Sequence, residues 1–207
     1  MMPGPNHIYS CPGCGNLLYT GSLASGNTFG AKLYSDGKQR APMLPDFPSI
    51  TKCKKCYTIF WLNEETLVGT EDIGPERPNA DYADFLSVYD CVTAINSSLC
   101  KSNDDEKYFR YQIMFGFNDR VRDDNPKFIN EGDELLWEEN IYSFMDLLDP
   151  KIMDERILLA ELYRYLGNFA KCMEIMDSID EPQLDFVKEK LMAECEKGNK
   201  ELVVLFE

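Results

Sequence analysis

Cys11-Pro12-Gly13-Cys14-Gly15 and Cys53-Lys54-Lys55-Cys56 are the two stretches on which the reading of this chain turns. Each is a Cys-x-x-Cys knuckle, and 38 residues lie between Cys14 and Cys53. A tight turn between paired cysteines aims both sulfurs at one tetrahedral ion. Gly13 and Gly15 suit such a turn, because glycine accepts φ > 0 without steric cost. Thiolate-only ligation favours zinc over iron–sulfur chemistry. The predicted ligands are therefore Cys11, Cys14, Cys53 and Cys56, holding about one structural zinc per chain. Four thiolates leave no open position for water, which argues against a catalytic metal. Two disulfides would need an oxidising compartment, and a thioredoxin-like redox pair would leave the second knuckle unexplained. His7, four residues before Cys11, is a candidate substitute ligand, but its Pro/Gly-rich surroundings predict a solvent-exposed tail.

The gap between knuckles exceeds the usual ~15–20 residues, so a ribbon with an insertion is expected. Thr28 to Tyr34 reads as a strand, Ser35-Asp36-Gly37-Lys38 as an Asp-Gly hairpin turn, and Gln39 to Met43 as a short return strand. Tyr57 to Leu62 is a β-rich run leaving the second knuckle. Gly21 to Thr28 has the spacing of a phosphate-binding loop. Asn27 stands where that loop needs lysine, however, and a strand follows rather than a helix, so a turn-rich loop is expected instead. Such a small β domain has a limited core. Metal binding supplies ~10–16 kcal/mol of apparent folding free energy in zinc modules, against ~5–15 kcal/mol of net stability for an ordinary domain.

The 207 residues carry 36 acidic and 21 basic side chains, one His and eight Cys, for a net charge of −15. That charge is uneven. Residues 1–63 hold six basic and two acidic residues, a balance of +4, and residues 64–207 hold 15 basic and 34 acidic, a balance of −19. Composition changes at the same place, from Gly/Pro/Ser-rich to helical. The expected organisation is a zinc-binding β domain over 1–68, a linker over 69–79 and an α-helical domain over 80–207, in the α+β class. A 44% hydrophobic content excludes wholesale disorder. No apolar run approaches the ~20 residues that span a bilayer. Met1 to His7 lacks the basic and apolar regions of a secretory signal, so a soluble cytoplasmic protein is expected.

The helical part shows apolar residues at helical spacing over Tyr82–Leu99, from an Asn103 cap to about Val121, and after Asn130. The second of these is apolar nearly all round and should be central. Beyond it the punctuation repeats. Asp149-Pro150 and Glu181-Pro182 lie 32 residues apart, and Gly167-Asn168 and Gly198-Asn199 lie 31 apart, which suggests helix, Gly-Asn turn, helix, Pro. Cys91, Cys100, Cys172 and Cys195 lack ligand spacing and read as buried free thiols. Asp104-Asp105-Glu106 and Glu138-Glu139 read as caps and solvated faces.

These motifs carry two resemblances. The paired knuckles resemble zinc-ribbon or rubredoxin-like domains with four cysteine ligands. The tail resembles a tetratricopeptide hairpin: Leu159, Ala160 and Tyr163 match the large-small-large pattern, Gly167 and Phe169 the turn, and Cys172, Met176 and Ile179 positions in the second helix. The combination is similar to uncharacterised bacterial zinc-ribbon proteins. A rubredoxin likeness would imply iron and electron transfer, but the hairpin-bearing insertion and the lysines of the second knuckle favour zinc.

The leading functional expectation is a non-catalytic adaptor whose acidic helical domain binds a protein or peptide. The alternative is a nucleic-acid-associated protein touching phosphate through Lys32, Lys38, Arg40, Lys52, Lys54 and Lys55, although the −19 region would repel a polyanion. In a third reading those basic residues meet the chain's own acidic helices. An enzyme is the weakest reading, since no nucleophile–base arrangement, open metal site or cofactor loop is visible. No membrane partner is expected.

Overall fold

The computed structural model describes residues 1–71 and 79–207, so most of the expected linker lies outside the described residues. The architecture is mixed α+β, with sheets followed by six α-helices among the described residues, and no sheet closes into a barrel. The strands before the helices are β1 (Met2–Ser10), β2 (Leu17–Ser25), β3 (Lys32–Tyr34), β4 (Gln39–Arg40), β5 (Ile50–Lys52), β6 (Ile59–Trp61), β7 (Leu67–Glu71) and β8 (Asp81–Tyr82). The helices are α1 (Val88–Ile95), α2 (Asn103–Arg122), α3 (Glu131–Met145), α4 (Met153–Tyr165), α5 (Phe169–Asp177) and α6 (Asp185–Glu196), and β9 (Val204–Phe206) ends the chain.

The chain divides into two compact units: Met1–Gly30 with Ala41–Phe109, and Ala31–Arg40 with Arg110–Glu207. This division does not follow the composition change after residue 63. Helix α1 groups with the first sheets and the 31–40 hairpin groups with the C-terminal helices, for reasons visible in the hydrogen bonds and ion pairs of each unit.

In the first unit, β1 and β2 are antiparallel across the first knuckle, and the sheet runs β7-β1-β2-β8. The second knuckle joins β5 to β6. Tyr9, Leu18, Phe60 and Ala83 pack with Cys11 and Cys53 into one small core. The segment before α1 is held to this unit by Thr51 Oγ1 donating to the Asp84 carbonyl (2.8 Å), and α1 itself by Lys52 paired with Asp90 (2.7 Å). Trp61 Nε1 also donates to Leu99 O (3.4 Å). Two sequence expectations change here. Residues before His7 are strand, not tail: register shifts between Met2/Pro3 and Gly4/His7 accommodate the prolines, and among the described residues β7 pairs with β1 over Asn6 to Tyr9. The expected loop from Gly21 is strand through Ser25, and Asn27 Oδ1 accepts from Phe29 N (3.0 Å) in an Asx turn beyond it.

The helix expected over Tyr82–Leu99 begins only at Val88. Ser87 and Asp90 form a capping box there, while Asp81–Tyr82 add a short parallel strand to β2. The α2 cap is Ser102 rather than Asn103, since Ser102 Oγ accepts from Asp105 N at 3.1 Å. Asn130 caps α3 through Asp133 N (3.0 Å) as its side chain predicts.

In the second unit the sheet order is β4-β3-β9, and β9 lies outside any sequence expectation. Helix α4 packs on α5 and α5 on α6, burying Ala160, Cys172, Met176, Ile179, Leu191 and Cys195 together. Gly167 (φ 79°) and Gly198 (φ 68°) stop α4 and α6 in the left-handed region, and Asn168 caps α5. Arg164, fully buried, is gripped by Glu161 at 2.7 and 2.6 Å and donates to the carbonyls of Asn199 and Glu201. That grip fastens the second Gly-Asn turn to α4. The β3–β4 hairpin belongs with these helices because Asp36 pairs with the buried Arg122, Lys38 with Asp119 (2.7 Å), and Arg40 with Asp119 (3.0 Å) and Asp123 (2.7 Å). Burial pushes Asp119 up, but Lys38 and Arg122 outweigh it and leave the carboxyl below its usual value.

Lys127 lies in an aromatic box of the same unit, its Nζ 3.7 Å from the Trp137 ring centre and 4.8 Å from that of Tyr165. Burial lowers its pKa to about 8, although facing rings favour the charged form. Between pH 8 and the ordinary lysine pKa the unfolded chain then binds more protons than the folded one, so stability from this group rises with pH. Wild type is expected to gain about 1–3 kcal/mol over Lys127→Met across that interval, measured by urea unfolding of both proteins. Parallel pH profiles would contradict this.

Candidate metal centre

Both knuckles are built alike. In the first, Cys11 N donates to Asn16 O (2.9 Å) and Gly15 N to Cys11 O (2.8 Å). In the second, Cys53 N donates to Thr58 O and Tyr57 N to Cys53 O, each at 2.9 Å. The residue after each second cysteine takes positive φ, Gly15 at 70° and Tyr57 at 62°. Tyrosine in that conformation costs ~1–2 kcal/mol, which the knuckle accepts to keep its turn. Gly15→Val is expected to weaken metal retention and cost about 1–2 kcal/mol, since a Cβ there meets no other atom and only the backbone penalty acts. Tyr57→Gly should change stability by less than about 1 kcal/mol. Thermal unfolding of the metal-loaded variants separates the two, and equal losses would refute the equivalence of the knuckles.

The four sulfurs lie within 4.8 Å of one another, with Cys11–Cys56 at 3.5 Å and Cys14–Cys53 at 3.7 Å. A tetrahedron with metal–sulfur bonds of ~2.3 Å has edges of ~3.8 Å, so one ion fits among these sulfurs. The four-cysteine cluster could hold a metal ion. Cys11 and Cys53 are buried, Cys56 is half-buried and Cys14 exposed. Gly13 presses against Thr58 so closely that a side chain would collide with the Thr58 hydroxyl, which brings the knuckles together. The Thr58 hydroxyl, 3.2 Å from Cys56 Sγ, and the Thr58 amide hold that thiol down to about 6. Burial pushes Cys11 up to about 12.

No protein-family model, curated protein or solved structure matches this chain. The other residues singled out in the sequence fall as follows. His7 sits half-buried in β1, paired with Thr20 and Thr70, and is not part of the cysteine cluster. Of the six basic residues, Lys32 pairs with Glu207 (2.9 Å) and Lys38 and Arg40 with α2, all in the second unit. Lys52 pairs with Asp90 (2.7 Å) and Lys54 with Asp84 (2.9 Å) in the first. The Asp84 carboxylate holds the Lys54 pKa above its ordinary value. Lys55 is exposed beside Cys14 and Asp81. Three of the six thus fall in each unit. Cys91, Cys172 and Cys195 are buried as expected, whereas Cys100 is only half-buried, its Sγ 3.9 Å from Ser102 O. No described helix is long and apolar enough to cross a membrane.

Proposed function

We propose that this is a non-catalytic zinc-binding interaction protein, in which the four-cysteine site holds a structural ion and the acidic helical unit binds a protein or peptide. The observation that carries the metal half is the convergence of four sulfurs from two matched hairpins. Thiolate ligands suit zinc, and a filled tetrahedron has no place for a reacting water. The ribbon likeness rests on those same hairpins. The interaction half is supported by successive packing of α4, α5 and α6 with the core places taken by Ala160, Cys172, Met176 and Ile179, as a tetratricopeptide-like hairpin would use them.

Affinity capture from the native host with the full chain is the test. A specific partner protein should be retained by wild type and lost with Glu161→Ala, which disturbs the helical unit while the metal stays bound. Retention of no partner would sink the reading. The nucleic-acid alternative has less support, because five of its six basic residues already meet carboxylates. It predicts steeply salt-dependent binding of labelled RNA or DNA that disappears when Lys52, Lys54 and Lys55 are neutralised.

A further inference from the structure

The second unit contains a hollow of about 440 Å³, a size typical of sites that enclose an organic group. Its walls are mostly apolar and include Leu33 on β3, Tyr111 and Phe115 on α2, Ile157 on α4, Phe186 on α6 and Leu205 on β9. Phe186 remains 45% exposed at this site.

The charges around the hollow are either cancelled or negative. Asp36 is buried and held by Arg122 and by Asn118 Nδ2 (2.8 Å). Lys38, 5.2 Å from the Phe115 ring centre, is held by Asp119. Asp154 stands exposed on the lining, and no basic side chain among the described residues pairs with it. Burial raises the Tyr111 phenol to about 12, with Glu155 and Asp154 adding to the rise, so an anionic field reaches that hydroxyl. An apolar anion would be repelled here, and a plain apolar group would leave Asp154 unused. Aromatic faces beside one carboxylate suit an apolar body that carries a cation.

We propose that this hollow docks a basic, leucine-bearing peptide segment of a partner protein, with a leucine among Leu33, Phe115, Phe186 and Leu205 and an adjacent lysine or arginine at Asp154. The inference rests on the adaptor reading and names the chemistry of its partner.

The test uses the full, metal-loaded chain and three fluorescein-labelled hexapeptides, alternating leucine with lysine, leucine with glutamate, or serine with lysine. Fluorescence anisotropy should show the leucine–lysine peptide binding at least about tenfold tighter than either counterpart, roughly one favourable contact's worth of discrimination. Asp154→Asn should weaken it about threefold or more and flatten its salt dependence. Phe186→Ala should weaken it about tenfold; its far-UV circular dichroism is checked first, and Asp154→Asn stands alone if that variant misfolds. Equal binding of the leucine–glutamate peptide, no binding of any peptide, or indifference to Asp154→Asn would overturn the proposal. A captured partner that both variants retain as well as wild type would also overturn it while leaving the adaptor reading intact. Failure of wild type to capture any partner counts against that reading, and the peptide titration then judges the hollow separately.

Discussion

Cys53→Ser is expected to unfold the β-rich unit while the α4–α6 helices persist. Cys53 is fully buried beside Tyr9, Leu18 and Phe60, so the change strands a hydroxyl in an apolar core as well as removing a ligand. Zinc contributes ~10–16 kcal/mol of apparent folding free energy in small modules, and a unit of this size has only ~5–15 kcal/mol to lose. Chelation of the wild-type metal should do the same. Trypsin should then cut faster at Lys52, Lys54 and Lys55, because the knuckle turn and the pairs of Lys52 with Asp90 and Lys54 with Asp84 would no longer hold that segment. Cys14→Ser should lose metal with less additional damage, because Cys14 is exposed. Protection that survives chelation would mean that the sheets stand without an ion.

Glu161→Ala carries the second large effect. It leaves the Arg164 guanidinium with no exposure and no carboxylate in hydrogen-bond contact among the described residues, its remaining partners being the carbonyls of Asn199 and Glu201 and the Tyr165 ring. Removing one member of a buried ion pair costs ~3–5 kcal/mol, because the remaining charge stays buried and uncompensated. Arg164→Met should cost about as much, since it strands Glu161 and frees the turn after Gly198 from α4. The double variant Glu161→Ala with Arg164→Met should lose less than the sum of the two single losses, since neither buried charge is left without its partner. Chemical denaturation of the three variants measures the coupling. Additive losses would show that the two side chains act independently.

The parts legible in the sequence are those with a local physical cause. Cysteine spacing brought four sulfurs together because a knuckle is a short turn, and Asp36-Gly37 turned the β3–β4 hairpin for the same kind of reason. Gly167 and Gly198 ended helices where a left-handed residue was needed. Asn130 and Asn168 capped the helices that follow them. The parts that escaped depend on distant partners. Strand β1 contains Pro3 and Pro5 and reads locally as a tail; it is a strand because β2 and β7 lie on either side of it. Strand β9 is short, and its pairing partner β3 is far away in sequence. Charge asymmetry located the basic residues but not their partners, which for five of the six proved to be carboxylates of α2, of the Asp84–Asp90 segment and of Glu207. The hairpin's membership of the helical unit follows from those pairs and could not be read from composition. At the metal site the missed feature was Thr58. Nothing in its spacing marks it as the residue that meets Gly13 and stabilises the Cys56 thiolate.

The measurement closest to the central claim is metal analysis of the full chain purified without affinity metals, joined to X-ray absorption at the edge of the metal found. The account predicts about one zinc per chain, bound by four sulfurs at ~2.3 Å. Iron with visible charge-transfer absorption, a shell containing nitrogen or oxygen, or a folded protein with no stoichiometric metal would contradict it.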